Sequence, residues 1–379
     1  MEQAAQPSVA NTVEVPAARP GMRNGLEIYR SFREGLAQPE CEPDASTRWR
    51  QHFAHAPKQM ATPGNDVLPL FGYVVDALRA EHLPTEYALI PFVESGYRAG
   101  ARSPSGPAGL WQFITVTARN HKVPVGTGYD GRLSPVDSTR AAVRYLKTLH
   151  GMFAGDWRLA VMAYNAGEYR VLGALRRGGQ LPASAEPDKL ALPAITHAYV
   201  RKLHALACVL EEAEDRESWL DAIDREVPIL AAVPIPPGTG TLDRYAQRTG
   251  ADPARLRRLN PAFANSLAHA PRDGMLLVPA GNMPPSSVAA NTPAPSSLAT
   301  SGGFLNQAPV DDIAPPTPSG RAHTVARGES PWVIARRYGI RVDELLERNQ
   351  LVAASVLRPG MRLRIDADAS LDAAAGVAE

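Results

Sequence analysis

The sequence predicts a mainly α-helical domain followed by two small βααβ modules joined by a tether. Three observations carry this expectation. Helical periodicity runs through residues 61 to 215 with almost no strand-like alternation. The stretch "TLDRYAQRTGADPARLRRLN" at 241–260 aligns at a constant offset with "SPWVIARRYGIRVDELLERN" at 330–349, matching Ala246, Arg248, Gly250, Leu256 and Asn260 to Ala335, Arg337, Gly339, Leu345 and Asn349. Between the copies, residues 283–320 are low-complexity proline, serine and alanine, a composition that cannot form a core and acts as an extended tether.

Composition bounds the function. At 379 residues and 44% hydrophobic, the chain is long enough for more than one domain. A net charge of +1 offers no global attraction to nucleic acid or acidic lipid, so neither is expected as a partner. No apolar run reaches the length of a membrane span. The opening "MEQAAQPSVANTVEVPAARP" lacks the basic-then-apolar pattern of a secretory signal. The histidines form no HExxH or Cys-paired constellation, and His52 with His55 is too little for a metal, so no metal and no cofactor is expected. Cys41 and Cys208 allow one disulfide at most; each reads as a small buried residue in preference to a bridge.

The elements follow in order. Residues 1–21 are expected to be disordered. Residues 22–60 form a helical flank, with a period through Leu26, Tyr29, Phe32 and Leu36 that cannot bury much alone. The catalytic candidate, 61–215, contains "LPTEYALIPFVES", where Pro84 suits a first helical turn and Pro91, inside the helix, should bend the end that carries Glu94. "SPVDSTRAAVRYLKTLH" buries one face through Ala142, Tyr145, Leu146 and Leu149. "WRLAVMAYNAGEYRVLGAL" is helical on both sides of a turn at Asn165 to Gly167. Then come the first module (216–282), the tether (283–320), the second module (321–367) and a disordered tail (368–379). In each module a glycine stops the first helix and a short apolar stretch, "MLLVP" or "MRLRI", closes the unit; "HTVAR" opens the second as a strand.

One carboxylate stands out. In "ALIPFVESGY" Glu94 lies among Phe92, Val93 and Tyr97, and burial there raises its pKa and keeps its proton near neutrality. A protonated carboxylic acid is what general-acid catalysis requires.

Two family resemblances sharpen this. "HTVARGESPWVIARRYG", "LLERNQL" and "LRPGMRLRI" closely resemble a LysM domain over 322–366, a family that binds N-acetylglucosamine-containing glycans. The first copy, 233–280, is similar to a degenerate LysM, with "GTGTL" in place of the usual opening. "VESGY", "SPSGPAGLWQF", "AYNAGE" and "LPAITHAYV" resemble, in order and spacing, the family-1 lytic transglycosylases over roughly 25–215, and the LysM repeats point to their membrane-bound D subgroup. That resemblance implies a goose-lysozyme-like helical domain of the lysozyme superfamily. It also implies cleavage of the β-1,4 bond between N-acetylmuramic acid and N-acetylglucosamine in peptidoglycan, leaving 1,6-anhydro ends. The implied setting is the periplasm or cell envelope, with outer-membrane association common in the subgroup, and a monomer acting on glycan strands.

By the same resemblance Glu94 protonates the leaving oxygen and then accepts a proton from the C6 hydroxyl of muramic acid. Ser103 matches the serine that holds the muramoyl N-acetyl group, with a turn serine as the alternative. Gln112 fits an amide that orients the glutamate or a sugar. Tyr164, Asn165 and Tyr199 match groove positions, a core tyrosine being the alternative for Tyr199. Glu168 and Trp111 are supporting candidates, as a second carboxylate or helix cap and as a sugar platform or core residue respectively. Asp130 in "YDGR" reads as a loop holder. Two positions depart from the family: Ile195 replaces an acidic residue of the groove, and Tyr169 replaces a frequent glycine, where a left-handed turn would be costly. A lysozyme-like hydrolase and a non-catalytic glycan-binding scaffold remain as alternative functions.

Overall fold

The computed structural model describes residues 19–41, 45–264, 266–283, 321–325, 334, 338, 340, 342–351 and 360–366. The tether, the tail, nearly all of the N-terminal stretch and most of the first helix expected in the second module lie outside the described residues.

The helix Gly25–Glu34 begins where the Asn24 side chain accepts from the Leu26 backbone N–H at 2.7 Å. Its Ile28, Tyr29 and Phe32 are buried in the same core as Leu68, Phe71 and Val75 of the helix Val67–Arg79. Phe53 and Met60 join them, so residues 22–60 are part of the main core and not a separate flank. An apolar face too small to close on itself is buried by completing a larger one. The strand Met22–Asn24 pairs antiparallel with Glu226–Pro228.

The segment carrying Glu94 departs from expectation in one detail. A 3₁₀ helix, Thr85–Leu89, precedes a new short helix, Ile90–Ser95, and Pro91 sits in that helix's first turn. There its missing N–H costs nothing, so the proline starts the helix and does not bend it. Ser134 caps the long helix Pro135–Met152, accepting from the Asp137 N–H at 3.2 Å, and the expected face at Ala142, Tyr145, Leu146 and Leu149 is buried. Asp156 caps Trp157–Ala166, and the chain breaks at Gly167, with φ 90°, before Glu168–Arg177. The turn falls where expected, and its unusual backbone falls on glycine. Tyr169 lies inside the following helix, 72% exposed, so the costly left-handed turn anticipated for it does not arise.

The helix Ala194–Glu214 packs against Thr47–Phe53 and Trp157–Ala166. It is also held by a disulfide between Cys208 and Cys41. This corrects the reading of two separate buried residues. Cys208 is indeed buried, but half-buried Cys41, 167 positions away, is its partner.

The first module pairs Leu230–Pro234 antiparallel with Met275–Pro279, with helices Leu242–Thr249 and Pro253–Leu259 between them. Trp219, Ile223 and Val227, which precede it, belong to the main core, so the module begins later than residue 216. In the second module, Ala322–Thr324 pairs antiparallel with Arg362–Arg364, and the helix Val342–Arg348 lies between them in sequence. The repeat has a physical basis at its matched asparagines. Asn260 donates to the carbonyls of Leu256 and Leu277 and accepts from the Leu277 N–H at 2.8 Å. Asn349 donates to Leu345 and Arg364 and accepts from the Arg364 N–H at 2.6 Å. In both copies one amide ties the end of the second helix to the closing strand.

The first module packs on the helical domain. Leu230, Leu259 and Leu277 join the main core, and Asp66 accepts from Arg255 Nε at 2.8 Å and from Arg258 Nε at 2.7 Å. Asp66→Ala leaves both guanidiniums without that partner, Arg255 at a largely covered position and Arg258 at a half-exposed one. It is expected to cost about 1–3 kcal/mol and to speed hydrogen exchange across 242–279. Unchanged exchange there would show that apolar packing alone fixes the module.

Candidate active site

Glu94 lies on the last turn of Ile90–Ser95, half-buried. Ser95 anchors that turn, its hydroxyl donating to the carbonyls of Pro91 and Leu110. Tyr97, buried beside Phe71 and Phe92, donates to the Ala88 carbonyl at 2.7 Å. The carboxylate is therefore carried on a short element fixed at both ends. Burial pushes its pKa above the ordinary carboxylate value, while a hydrogen bond from Tyr199 and the positive charge of Lys202 pull it back in part.

Tyr199 is the residue that meets Glu94. Its hydroxyl donates to Glu94 Oε1 at 2.5 Å from the helix Ala194–Glu214. At 4% exposure it is a core tyrosine, and its hydroxyl reaches the carboxylate from there. Burial, the largest cause, and then the Glu94 carboxylate raise its own pKa well above the ordinary value, which keeps the phenol a donor. Lys202 follows at i+3 on the same helix and stacks its ammonium 4.6 Å from the Trp49 ring centroid. Sequence reasoning missed Lys202, although its spacing from Tyr199 was a usable signal.

Tyr164 stands next in the electrostatic surroundings of Glu94, which raise its phenol pKa after burial does. Its hydroxyl donates to the Trp111 carbonyl at 2.8 Å, and its ring packs against Phe113 and Tyr145. Glu168, the second candidate carboxylate, accepts from the Tyr145 hydroxyl at 2.9 Å. Tyr145 in turn lies against His121, with ring centroids 4.3 Å apart. From the sequence Tyr145 read only as a core position; its hydroxyl gives it a second contact that periodicity does not reveal. Asn165 is exposed at the end of its helix, just before Gly167.

The loop "SPSGPAGLWQF" is held from below. Arg132, 7% exposed, binds Asp130 through Nε and Nη2 and donates to the carbonyls of Gly106 at 2.8 Å and Phe113 at 3.2 Å. Asp130 holds the loop before the Pro135–Met152 helix, accepting from the Arg132 backbone N–H at 3.2 Å, and Arg132 is what reaches across to the "SPSGPAGLWQF" loop. Gly109 makes the approach possible: a Cβ there would fall 1.6 Å from the Arg132 carbonyl oxygen. Ser103 shares a 2.8 Å hydrogen bond with Ser105 at the loop surface. Gln112, with φ 47°, donates to the Gly109 carbonyl at 2.7 Å. Its amide braces the loop, and the hydrogen bond to Glu94 comes from Tyr199 instead. Trp111 is 1% exposed and donates to Thr139 Oγ1, so its ring belongs to the core and only its carbonyl serves the site. Ile195 is 71% exposed in the first turn of its helix.

The pH response has a defined sign. Removing the Tyr199 hydroxyl removes a contact that lowers the Glu94 pKa, so Tyr199→Phe moves the alkaline limb of any activity needing protonated Glu94 to higher pH. A limb that moves down or stays fixed would show that another group sets it.

Residues 75–186 match the transglycosylase SLT domain, and residues 323–366 match the LysM domain. Tyr199 lies beyond the SLT match. The chain is 31% identical over 303 residues to membrane-bound lytic murein transglycosylase D of Escherichia coli (strain K12), covering 80% of this chain and 64% of that protein. The chain thus spans just under two thirds of that relative's length. It is 36% identical over 115 residues to peptidoglycan transglycosylase gp16 of Escherichia phage T7, covering 30% of this chain and 8% of that protein. Among solved structures, an inactive mutant of lytic transglycosylase Slt from Pseudomonas aeruginosa aligns at a TM-score of 0.29 and 17% identity, over 55% of this chain and 44% of that one. That likeness is too low to argue from.

Proposed function

We propose that this chain, built on a transglycosylase SLT domain and carrying a LysM domain, is a peptidoglycan lytic transglycosylase that cleaves the β-1,4 bond from N-acetylmuramic acid to N-acetylglucosamine without water. The observation that carries the proposal is the setting of Glu94. It is a half-buried carboxyl whose pKa burial raises, and among the described residues the groups that act on it are Tyr199 and Lys202, not a second carboxylate.

A lone acid suits a substrate that supplies its own assistance. Glycoside cleavage normally pairs two carboxylates, and the exceptions use the substrate's N-acetyl group. Protonated Glu94 gives its proton to the glycosidic oxygen as the C1–O bond breaks. The muramoyl C6 hydroxyl then bonds to C1 and returns its proton to the Glu94 carboxylate, so no water is consumed and the acid is regenerated. Tyr199 positions Glu94 through its hydrogen bond in both states, since a phenol can donate to a carboxylate or to a carboxylic acid's carbonyl oxygen, and it does so more strongly to the carboxylate, which is why it lowers the Glu94 pKa. Ser103 exchanges Ser105 for the N-acetyl group, and Tyr164 and Asn165 line the path of the sugars.

The LysM domain supplies glycan affinity and so raises the local concentration of the acid on an insoluble strand. The site of action is the cell envelope, and the Cys41–Cys208 bridge suits an oxidising compartment there. Among the described residues no helix is long and apolar enough to cross a membrane. Incubation with purified sacculi tests the function: soluble muropeptides ending in 1,6-anhydromuramic acid are expected. Reducing muramic acid ends would mark a lysozyme-like hydrolase, and intact sacculi would leave a binding scaffold.

A further inference from the structure

One cavity has walls that do not include Glu94. A space of about 940 Å³ opens between the helical domain and the first module, walled by the ends of the helices Ala56–Ala61 and Pro253–Leu259 and by the loop from Gly96 to Gly100. Its volume is that of a small-ligand pocket. Three arginines, Arg98, Arg257 and Arg258, line it against a single carboxylate, Asp66.

The charges are unevenly committed. Arg258 shares Asp66 with Arg255, and Arg257 binds Asp243 outside the cavity wall. Arg98 has no carboxylate partner among the described residues: its Nε donates to the Ser95 carbonyl at 3.0 Å, and its two terminal nitrogens are unused. A guanidinium with a free planar edge is suited to receive a carboxylate. A second observation is complementary. Gln59 also lines the cavity, and its Oε1 is buried with no hydrogen-bond partner. A buried acceptor without a donor calls for an N–H group from a ligand.

We infer that this cavity binds an acidic peptide, and, resting on the proposed function, that the peptide is the stem carried by the muramoyl lactyl group of the substrate. Such a stem offers both things the cavity lacks: free carboxylates for Arg98 and amide N–H groups for Gln59. It is also within reach. Gly96 of the cavity wall is two residues beyond Glu94, and four extended residues span about 13 Å. The first module, whose resemblance to a glycan-binding domain is degenerate, then serves as one wall of a peptide site. The enzyme therefore prefers peptide-bearing over stripped glycan.

The test is calorimetric titration of the full chain with two probes, the free stem tetrapeptide and a peptide-free saccharide of alternating N-acetylglucosamine and N-acetylmuramic acid. Arg98→Ala is expected to weaken the tetrapeptide about tenfold relative to the saccharide. Gln59→Met, which keeps the side chain's length, is expected to shift the same ratio in the same direction, and it decides if Arg98→Ala disturbs the Ile90–Ser95 helix. A ratio unchanged in both variants overturns the inference, as does inorganic phosphate competing as well as the tetrapeptide, which would mark a simple anion site. Saccharide binding and anhydro products with no tetrapeptide binding overturn this inference alone. Tetrapeptide binding that follows Arg98, on a protein that releases no anhydro products, upholds the cavity and removes the lyase.

Discussion

Glutamine in place of Glu94 is expected to reduce muropeptide release by about 10²–10⁴-fold, the range in which positioned acid–base groups contribute. The same change should make the protein more stable at neutral pH. Glu94 has a raised pKa, and burial is the main reason, so ionising it in the folded state is costly. The folded state then holds this proton more tightly than the unfolded chain does. Below the ordinary carboxylate pKa both states are protonated and the residue costs nothing. As pH rises from there through the raised value, the cost grows, and above it the cost is complete. Thermal unfolding of Glu94→Gln and the parent should therefore diverge with rising pH, with the variant more stable, and converge in acid. A variant less stable than the parent at neutral pH would show that Tyr199 and Lys202 overcompensate for burial. The trade of stability for activity at one residue is what an acid built for its proton should display.

Breaking the Cys41–Cys208 bridge is expected to have the second large effect. The bridge closes a segment of 167 residues, and loss of such a constraint typically costs about 2–5 kcal/mol. It should also reach the chemistry, because Cys208 and Tyr199 share one helix, and Tyr199 holds Glu94. Reduction, or Cys41→Ser with Cys208→Ser, should lower the unfolding midpoint and decrease activity well below the temperature at which the fold is lost. Equal midpoints with and without reductant would mean that the packing of Ala194–Glu214 on Thr47–Phe53 suffices alone. Activity preserved at a lowered midpoint would confine the bridge to stability.

Glu94 and the Cys41–Cys208 bridge mark what local sequence can and cannot say. Glu94 was visible because its neighbours are apolar, a property of ten consecutive residues, and its burial follows from them. The break at Gly167 and the buried face of Pro135–Met152 were visible for the same reason, since both depend on spacing within one element. The disulfide was not, because it depends on two elements meeting 167 residues apart. Trp111 had two readings that only packing could separate, and its indole bond to Thr139 decides for the core. Gln112 carries the residue type for orienting a carboxylate, but the left-handed backbone at that position turns its amide onto Gly109. The docking of the first module rests on Asp66 meeting two arginines from the far side of the chain, each unremarkable in its own stretch.

Cleavage without water is the central claim, and digestion of sacculi in ¹⁸O-enriched water, followed by mass spectrometry of the newly formed muramic acid ends, tests it most directly. The account predicts anhydro ends that are one water lighter than reducing ends and carry no ¹⁸O, formed by the parent and lost in Glu94→Gln. Reducing ends labelled with ¹⁸O would contradict it, because the attacking oxygen would then have come from solvent and not from the substrate's own C6 hydroxyl.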